Sequence, residues 1–171
     1  MTILFQSIIT IRPLIADDLP QLEWDGVYTY QRPVFQRTLA DVARGTRLML
    51  GAVVEARIVG QVFVQLRSSE LEFAQAGRRG YLYSLRVRPE WRGQGLGSQL
   101  IAAAEAELLA RGYGEAAIST VKDNPDARRL YERLGYRVFK EDPGEWWFTD
   151  VNGLLQHVQE PCWVMEKRLK A

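Results

Sequence analysis

The most informative stretch of this chain is residues 81–111, YLYSLRVRPEWRGQGLGSQLIAAAEAELLAR, because it combines a strand, a glycine loop and a long helix. Its opening residues predict a buried strand, in which successive side chains point to opposite faces. One face is expected to carry Tyr81, Tyr83, Leu85 and Val87. The other is expected to carry Leu82, Ser84, Arg86 and Arg88. Pro89 ends the strand, because proline has no N–H to donate to a sheet.

A glycine-rich loop, residues 92–97, follows the strand and leads directly into a long amphipathic helix that Gly112 ends. Glycines at alternate positions allow a tight turn and bring several backbone N–H groups close to a bound group. A glycine loop that opens a helix favours an anion, because free N–H donors and the positive end of the helix dipole converge there. The pattern therefore predicts a bound pyrophosphate.

Two familiar phosphate-binding loops do not match this segment. The P-loop requires Gly-Lys-Ser/Thr after its spacer, whereas Ser98 and Gln99 follow Gly97 here. The dinucleotide fingerprint would require a glycine at Ser98 or Leu100. An ordinary nucleotide-binding protein is therefore disfavoured.

A second segment, NPDARRLYERLGY at residues 124–136, predicts a short helix that leads into another strand. Asn124 suits the N-cap, and Pro125 suits the first helical position. Ala127, Leu130, Tyr131 and Leu134 form an apolar face, and Gly135 ends the helix.

Together the two segments resemble the GNAT family of N-acetyltransferases. Residues 92–97 match its acyl-CoA loop, Arg/Gln-x-x-Gly-x-Gly/Ala, and residues 124–136 match Asn-x-x-Ala-x-x-Leu-Tyr-x-x-x-Gly-Phe/Tyr. The resemblance is strong over residues 81–141 and rests on general layout elsewhere. It implies an α+β GNAT fold: a mixed, mostly antiparallel central sheet of six to seven strands, flanked by about four helices, with a splayed strand pair at the acyl-CoA site.

The resemblance further implies that acetyl-CoA is the acyl donor. Backbone N–H groups of the loop would hold its pyrophosphate, and the unpaired backbone of the splayed strand would pair with its pantetheine arm. One of those N–H groups would polarise the thioester carbonyl. The implied cofactor-binding residues are Leu85, Arg86, Val87, Arg92, Gly93, Gln94, Gly95, Leu96, Gly97, Ser98, Asn124, Arg128 and Tyr131.

Tyr131 is the residue that the resemblance implies for catalysis, as a hydrogen-bond donor to the departing sulfur. The alternatives are that Tyr131 only fills a helix–sheet interface and that Asn124 is only a cap. The positions that carry a general base in relatives correspond to Tyr81 and Ser119, neither of which can take a proton from an ammonium. Other candidates, each also explained as solvated surface, are Glu70, Glu72, Asp25, His157 and an ordered water chain.

An enzyme without a strong built-in base favours an acceptor amine of low pKa. At pH 7 a lysine-like amine of pKa ~10.4 is neutral in roughly one molecule in 2,500, and an α-amine of pKa ~7.8 in about one in seven. We expect direct attack, in a ternary complex, by a peptide N-terminus, an amino acid or a small amino-compound. Candidate acceptor contacts are Trp24, Tyr28, Tyr83, Ser119, Trp146 and Trp147. The alternative is a catalytically weak or inactive acyl-CoA-binding regulatory module of the same fold.

Composition predicts one domain over residues 1–171, with a net charge of +1 that favours neither nucleic acid nor an anionic membrane. The single Cys162 excludes an intrachain disulfide and, with one histidine, leaves no soft-ligand metal cluster. No apolar run approaches the ~18 residues of a membrane span. The opening MTILFQSIITI has no basic n-region or cleavage site, so a cytoplasmic location is expected. Homodimerisation through the last strand, residues 162–169, is left open.

The remaining elements follow from local patterns. Strands are expected at residues 8–12, 47–54, 58–66, 116–121 and 136–140, and helices near residues 17–22 and 34–43. Residues 141–161 are long for a simple hairpin and carry three adjacent aromatic residues. They predict either a wall of the acceptor pocket or a plug on the sheet edge, with a turn at Asn152-Gly153.

Overall fold

The structure, a computed structural model, describes residues 8–171 and is built on one seven-stranded sheet. Its strands in chain order are β1 (Thr10–Pro13), β2 (Arg47–Val54), β3 (Arg57–Gln65), β4 (Arg79–Val87), β5 (Glu115–Val121), β6 (Arg137–Asp142) and β9 (Cys162–Arg168). They lie in the order β1-β2-β3-β4-β5-β9-β6. Only β4 and β5 pair in parallel, which confirms a mixed, mostly antiparallel sheet.

Helices cover both faces of the sheet. They are α1 (Arg32–Ala43), α2 (Leu96–Ala110) and α3 (Pro125–Arg133), together with a 3₁₀ segment over Ala16–Gly26. On one face, the 3₁₀ segment and α1 bury Leu22 and Phe35 against Phe63. On the other, α2 and α3 bury Leu100, Leu108 and Tyr131 against Leu82 and Ile118. The amphipathic pattern of α2 is confirmed, since its buried positions are Leu96, Leu100, Ile101, Ala104 and Leu108.

A β-bulge at Ser84 divides strand β4 into two parts. Tyr83 pairs with Phe63 and Arg86 with Gln61, so the stretch of β4 between these pairs holds one residue more than that of β3. Ser84 takes up the extra residue with φ 53°, in the left-handed region. The predicted alternation is therefore wrong beyond the bulge.

Beyond Ser84, the side chains of Leu85 and Val87 pack into the same core as Leu82, and not on the side of Tyr83. Arg86 correspondingly faces the side of α1. A single inserted residue exchanges the two faces because side chains alternate with a period of two.

Strands β4 and β5 separate along their length. Their pairing runs only from Arg79 opposite Glu115 to Leu82 opposite Ile118. Past that point β4 has no partner on its β5 side, which confirms the splayed strand pair. The gap opens on both faces of the sheet between the α1 side and the α3 side.

Residues 145–159 form a separate hairpin of β7 (Glu145–Thr149) and β8 (Leu155–Gln159). Asp150 orders its tip: Oδ1 accepts the N–H groups of Asn152 (2.8 Å) and Leu154 (2.9 Å). Phe148 is buried with its ring 5.7 Å from that of Tyr30. The hairpin is thereby attached to the short 3₁₀ helix Thr29–Gln31 that precedes α1.

The part of the chain under description contains no helix long and apolar enough to cross a membrane. Residues 8–171 likewise contain no group of three His, Cys, Asp or Glu side chains placed to hold a metal ion. Residues 1–7, which carry most of the segment interpreted above as lacking an export signal, lie outside the described residues.

Candidate acyl-CoA and acceptor site

The glycine loop places unpaired N–H donors at the start of α2. Gly93 (φ 72°) and Gly95 (φ 80°) adopt the left-handed conformation that side chains disfavour, and Gly95 is the N-cap. The N–H of Gln99 donates to Gly95 O (3.1 Å), so the preceding N–H groups of the first turn have no acceptor in the helix. The positive end of the helix dipole lies at the same place, which suits an anion.

A cleft of about 430 Å³ lies between this loop and α3. It is lined by Val87, Trp91, Arg92, Gly93, Gly95, Leu96, Gly97, Ser98, Asp126, Leu130 and Arg133. Seven of the thirteen residues predicted for the cofactor therefore lie here. Asp126, Leu130 and Arg133 were missed, although their i, i+4, i+7 spacing on a predicted helix could have identified a shared face.

The absence of a side chain at Gly97 indicates that the cleft accommodates a bound group. Its φ does not require glycine, and an added Cβ would lie 3.8 Å from Leu130, an ordinary contact distance. Neither backbone conformation nor packing therefore explains this glycine. A side chain there would enter the cleft between α2 and α3. The space, the free N–H groups and the cations Arg92 and Arg133 fit the diphosphate of acetyl-CoA.

Several predicted cofactor residues are held elsewhere. Asn124 caps α3 by accepting the N–H of Ala127 at 3.2 Å and does not line the cleft. Arg128 donates to Glu132 (2.9 Å) and lies over the ring of Trp163. Gln94 reaches only toward Glu90 O, at 3.5 Å. Leu85 offers backbone alone, since its side chain packs in the core.

The opposite face of the sheet carries a cavity of about 520 Å³ beside the same splayed strands. Its wall is strongly aromatic, with Phe63, Phe73, Tyr81, Tyr83, Trp146, Trp147 and Phe148. The β7–β8 hairpin closes one side, which supports the interpretation of residues 141–161 as a wall. Of the predicted acceptor contacts, the structure brings together Tyr83, Ser119, Trp146 and Trp147.

Trp24 and Tyr28 are not in the wall of this cavity. Their rings meet edge to face at 5.1 Å. The guanidinium of Arg86, which was predicted among the cofactor contacts, lies 3.9 Å from the centre of the Tyr28 ring. Arg86 itself lines the acceptor cavity, so its side chain is on the face opposite the glycine loop.

The two faces meet at the gap between β4 and β5. Burial raises the pKa of Tyr131, on α3, to about 12. Burial also raises the pKa of Tyr81 to about 12, with smaller increases from Cys162, Tyr131 and Asp142. Tyr131 approaches from one face and the other three groups from the opposite face. A cofactor sulfur and an acceptor amine would therefore meet in this gap.

Most of the proposed general bases are occupied or distant. Glu70 lines the cavity, but Glu72 is paired with Lys140 (2.7 Å). The Asp25 side chain is 95% exposed. His157 stacks on Trp147 outside the cavity wall.

Asp142 is a carboxylate that the sequence interpretation missed. It lies at the end of β6, opposite Cys162 of β9, which in turn is opposite Val121 of β5. Its Oδ1 accepts the N–H of Gly144 at 2.8 Å, and its Oδ2 lies 3.5 Å from Lys140 Nζ. This position depends on the β6–β9 register, so no local sequence pattern identifies it.

Comparison with known proteins agrees with this geometry. The family model described as acetyltransferase (GNAT) matches residues 11–136. Similar solved structures include Ard1 from Thermoplasma volcanium (TM-score 0.73, 15% identity, 95% of this chain and 99% of that one). The ribosomal-protein-S18-alanine N-acetyltransferase from Escherichia coli gives TM-score 0.69 at 19% identity, covering 96% of each chain. PaiA N-acetyltransferase from Thermoplasma acidophilum, in complex with coenzyme A, gives 0.69 at 20% identity, covering 94% of this chain and 99% of that one.

At these identities the solved structures show a shared fold. The family model goes further, because it matches most of the chain, including the glycine loop, the splayed strands and the helix of Tyr131. The chain belongs to the GNAT family of acetyltransferases.

Proposed function

We propose that this protein transfers the acetyl group of acetyl-CoA to a primary amine of low pKa, by direct attack within a ternary complex. The acceptor is a peptide N-terminus, an amino acid or a small amino-compound. The observation that supports this most is the gap between β4 and β5, which lies between the anion-binding cleft on one face and the aromatic cavity on the other.

Acetyl-CoA supplies a thioester, whose carbonyl carbon takes the amine nitrogen as the bond to sulfur breaks. The splayed strand contributes backbone N–H groups free to donate to the thioester carbonyl, because β4 has no β5 partner beyond Leu82. The two binding sites hold both reactants at one gap, which replaces a bimolecular encounter by a positioned reaction.

Tyr131 acts as a hydrogen-bond donor to the leaving sulfur. Its pKa of about 12 lies roughly 3.5 units above that of a thiol, so complete proton transfer would be uphill by about 5 kcal/mol. The hydroxyl therefore stabilises the developing thiolate while keeping most of its own proton. The coenzyme leaves with a proton taken finally from solvent.

Direct attack is favoured because the one thiol in the cavity is a poor nucleophile. Cys162 is buried, and burial raises the pKa of its thiol, with a further increase from Asp142. A protonated thiol cannot accept the acetyl group efficiently. An acetyl-enzyme intermediate is therefore disfavoured.

Asp142 takes the proton that the acceptor amine releases, directly or through one water. It is the carboxylate of the cavity that stands beside both Tyr81 and Cys162, at the edge of the gap. The E. coli relative named above acetylates an alanine of a ribosomal protein, which supports an α-amine as acceptor. A lysine-like amine would demand a stronger base than this single carboxylate.

Calorimetric titration with acetyl-CoA, CoA and ATP tests the proposal, followed by thiol release with a panel of amines. We expect micromolar binding of acetyl-CoA and CoA but not of ATP. Gly97→Leu should weaken acetyl-CoA binding at least about tenfold, since its side chain enters the cleft. Gly114→Leu is the matched control, because Gly114 has an ordinary φ, open space around it and a position outside the cleft. Equal binding by both variants would contradict the proposal.

A further inference from the structure

Arg86 is a largely shielded cation with no counter-ion. It follows the bulge on β4 and lines the acceptor cavity. Its Nη2 donates to Gln31 Oε1 at 3.0 Å, and its Nη1 is buried without any partner among residues 8–171. Within that same range no carboxylate forms a salt bridge with it. Burial lowers the pKa of Arg86, as expected for a cation that lacks an anion.

The other shielded arginines of the sheet are satisfied by the protein itself. Arg79 pairs with Glu115 (3.0 Å) and Glu166 (2.6 Å). Arg88 donates to the backbone oxygens of Ile58 and Gln21, each at 3.0 Å. Arg86 alone of these three keeps a buried donor unused, which is unfavourable unless another group supplies the acceptor.

The surroundings of Arg86 hold its guanidinium in a fixed orientation. The Tyr28 ring lies against it at 3.9 Å, and Gln31 fixes Nη2. The unused Nη1 donor therefore belongs to a fixed cation in the cavity wall, where an incoming acceptor group could satisfy it.

Cations and carboxylates of the cavity wall lie on different elements: Arg86 is on β4 and Arg37 on α1, whereas Glu70 is on the segment between β3 and β4. Asp142 lies on the strand pair beyond the gap, with Glu145 and Glu160 also in the wall. None of these carboxylates reaches Arg86. An acceptor with an amine at one end and an anion at the other would match this arrangement. One guanidinium matches a single carboxylate in geometry as well as charge, through paired N–H donors.

We propose that Arg86 binds a carboxylate of the acceptor, so that the substrate is a small amine that carries a carboxylate near the reacting nitrogen. The inference rests on the proposed acetyl transfer and narrows its substrate. The carboxylate is that of a free amino acid or of an acidic residue next to a peptide N-terminus.

Paired acceptors test the inference. Phenylalanine is compared with phenylalaninamide, and the peptide amide Ala-Asp-Phe with Ala-Asn-Phe, because the cavity is lined by aromatic rings. Rates are expressed per free amine, since the members of a pair differ in amine pKa. We expect the wild type to favour one carboxylate probe over its amide by about 10- to 100-fold in kcat/KM. The pair that shows the preference identifies the source of the carboxylate.

Variants of two arginines assign the effect. Arg86→Met should bring the preference close to one, and Arg86→Lys should retain part of it through charge alone. Arg44→Met is the control: Arg44 follows α1, is exposed, pairs with Asp41 (2.9 Å) outside the cavity wall, and should keep the wild-type ratio. Acetyl-CoA affinity should not change. Arg86→Met also removes the hydrogen bond to Gln31 and the contact with the Tyr28 ring, so the melting temperature of each variant is measured beside its ratio.

The wild-type ratios decide the matter even if Arg86→Met does not fold. The inference would be overturned if the wild type used the amide probes as well as the carboxylate probes, or if the preference survived in Arg86→Met. In either case, acetylation of the amide probes would still uphold the proposed function. A large drop in melting temperature with an unchanged ratio would assign Arg86 a structural role. Failure to bind acetyl-CoA or to acetylate any amine would overturn both.

Discussion

At the scale of single residues, the hydroxyl of Tyr131 carries the clearest prediction. Tyr131→Phe should lower kcat about 10- to 100-fold, because the departing sulfur loses its hydrogen-bond donor, while acetyl-CoA affinity stays the same. Since burial raises the pKa of Tyr131 to about 12, the donor form persists at alkaline pH. The rate should therefore show no decline from tyrosine ionisation up to pH 10.

Tyr136 provides the control for Tyr131. It is also buried, its ring is 6.3 Å from that of Tyr131, and its hydroxyl donates to Glu105 at 2.8 Å. Tyr136→Phe should reduce thermal stability through the lost hydrogen bond and leave kcat within about threefold. Comparable losses of kcat in the two variants would mean that both tyrosines only pack the helix against the sheet.

Asp142 carries a second prediction at this scale. Asp142→Asn should lower kcat/KM most at pH 7 and least above the pKa of the acceptor amine, where the amine is already neutral before it attacks. Glu72→Gln is the control, because Glu72 shares Lys140 with Asp142 but does not line the cavity. A pH–rate profile settles the comparison: a loss that is uniform from pH 7 to 10 would exclude Asp142 as the group that deprotonates the amine before attack.

At the scale of elements, the β7–β8 hairpin is fixed at its base by Gly144. A Cβ on Gly144 would lie 1.8 Å from the backbone oxygen of Glu160, and its φ is 65°. Gly144→Ala should displace the hairpin and reduce kcat/KM for the acceptor about tenfold or more, without changing acetyl-CoA affinity. Steady-state kinetics together with calorimetry separate the two effects.

Gly153, at the tip of the same hairpin, is the matched control. Its φ is 77°, but a Cβ there would meet nothing within 4 Å. Gly153→Ala should therefore add backbone strain of about 1 kcal/mol and little else. An acceptor that binds both variants equally well would show that the hairpin does not contribute to its site.

The sequence predicts the features of these elements that depend on neighbouring residues along the chain. It fails for features that depend on how one strand pairs with another. The N-cap at Asn124, the glycines of the loop and the period of α2 all appear as expected. The bulge at Ser84 does not, because serine gives no signal for a left-handed φ and the register depends on β3. Arg128 is two residues from Asp126 and two from Leu130, which is about 200° around the helix from the face that lines the cleft. Its position on α3, and not its charge, therefore keeps it out of the cleft.

At the scale of the whole molecule, donor and acceptor sites occupy opposite faces of one sheet, which predicts sequential kinetics. Double-reciprocal lines should intersect, because both reactants bind before transfer. Cys162→Ala should leave kcat within about threefold, since its thiol carries no acetyl group. Parallel lines, or acetylated enzyme detected by mass spectrometry without acceptor, would contradict direct attack.

The sheet also limits how copies of the chain could associate. Strand β9 is bonded to β5 on one side and to β6 on the other, so its backbone is fully used. A homodimer through the last strand, which the sequence leaves open, would have to use side chains there. Among the strands described for residues 8–171, β1 and β6 form the two ends of the seven-stranded sheet, where an added strand could pair. Light scattering at micromolar concentration measures whether a dimer forms.

At position 97, acetyl-CoA binding favours glycine, whereas thermal stability favours alanine. Alanine in the first turn of α2 restricts the unfolded chain and meets no clash, so Gly97→Ala should raise the free energy of unfolding by about 0.4–1 kcal/mol. That corresponds to about 1–4 °C in Tm for the free protein, and differential scanning calorimetry can resolve it. The same methyl group narrows the cleft and should weaken acetyl-CoA binding. Selection for thermal tolerance alone would therefore discard this glycine, and only selection for the bound state would keep it.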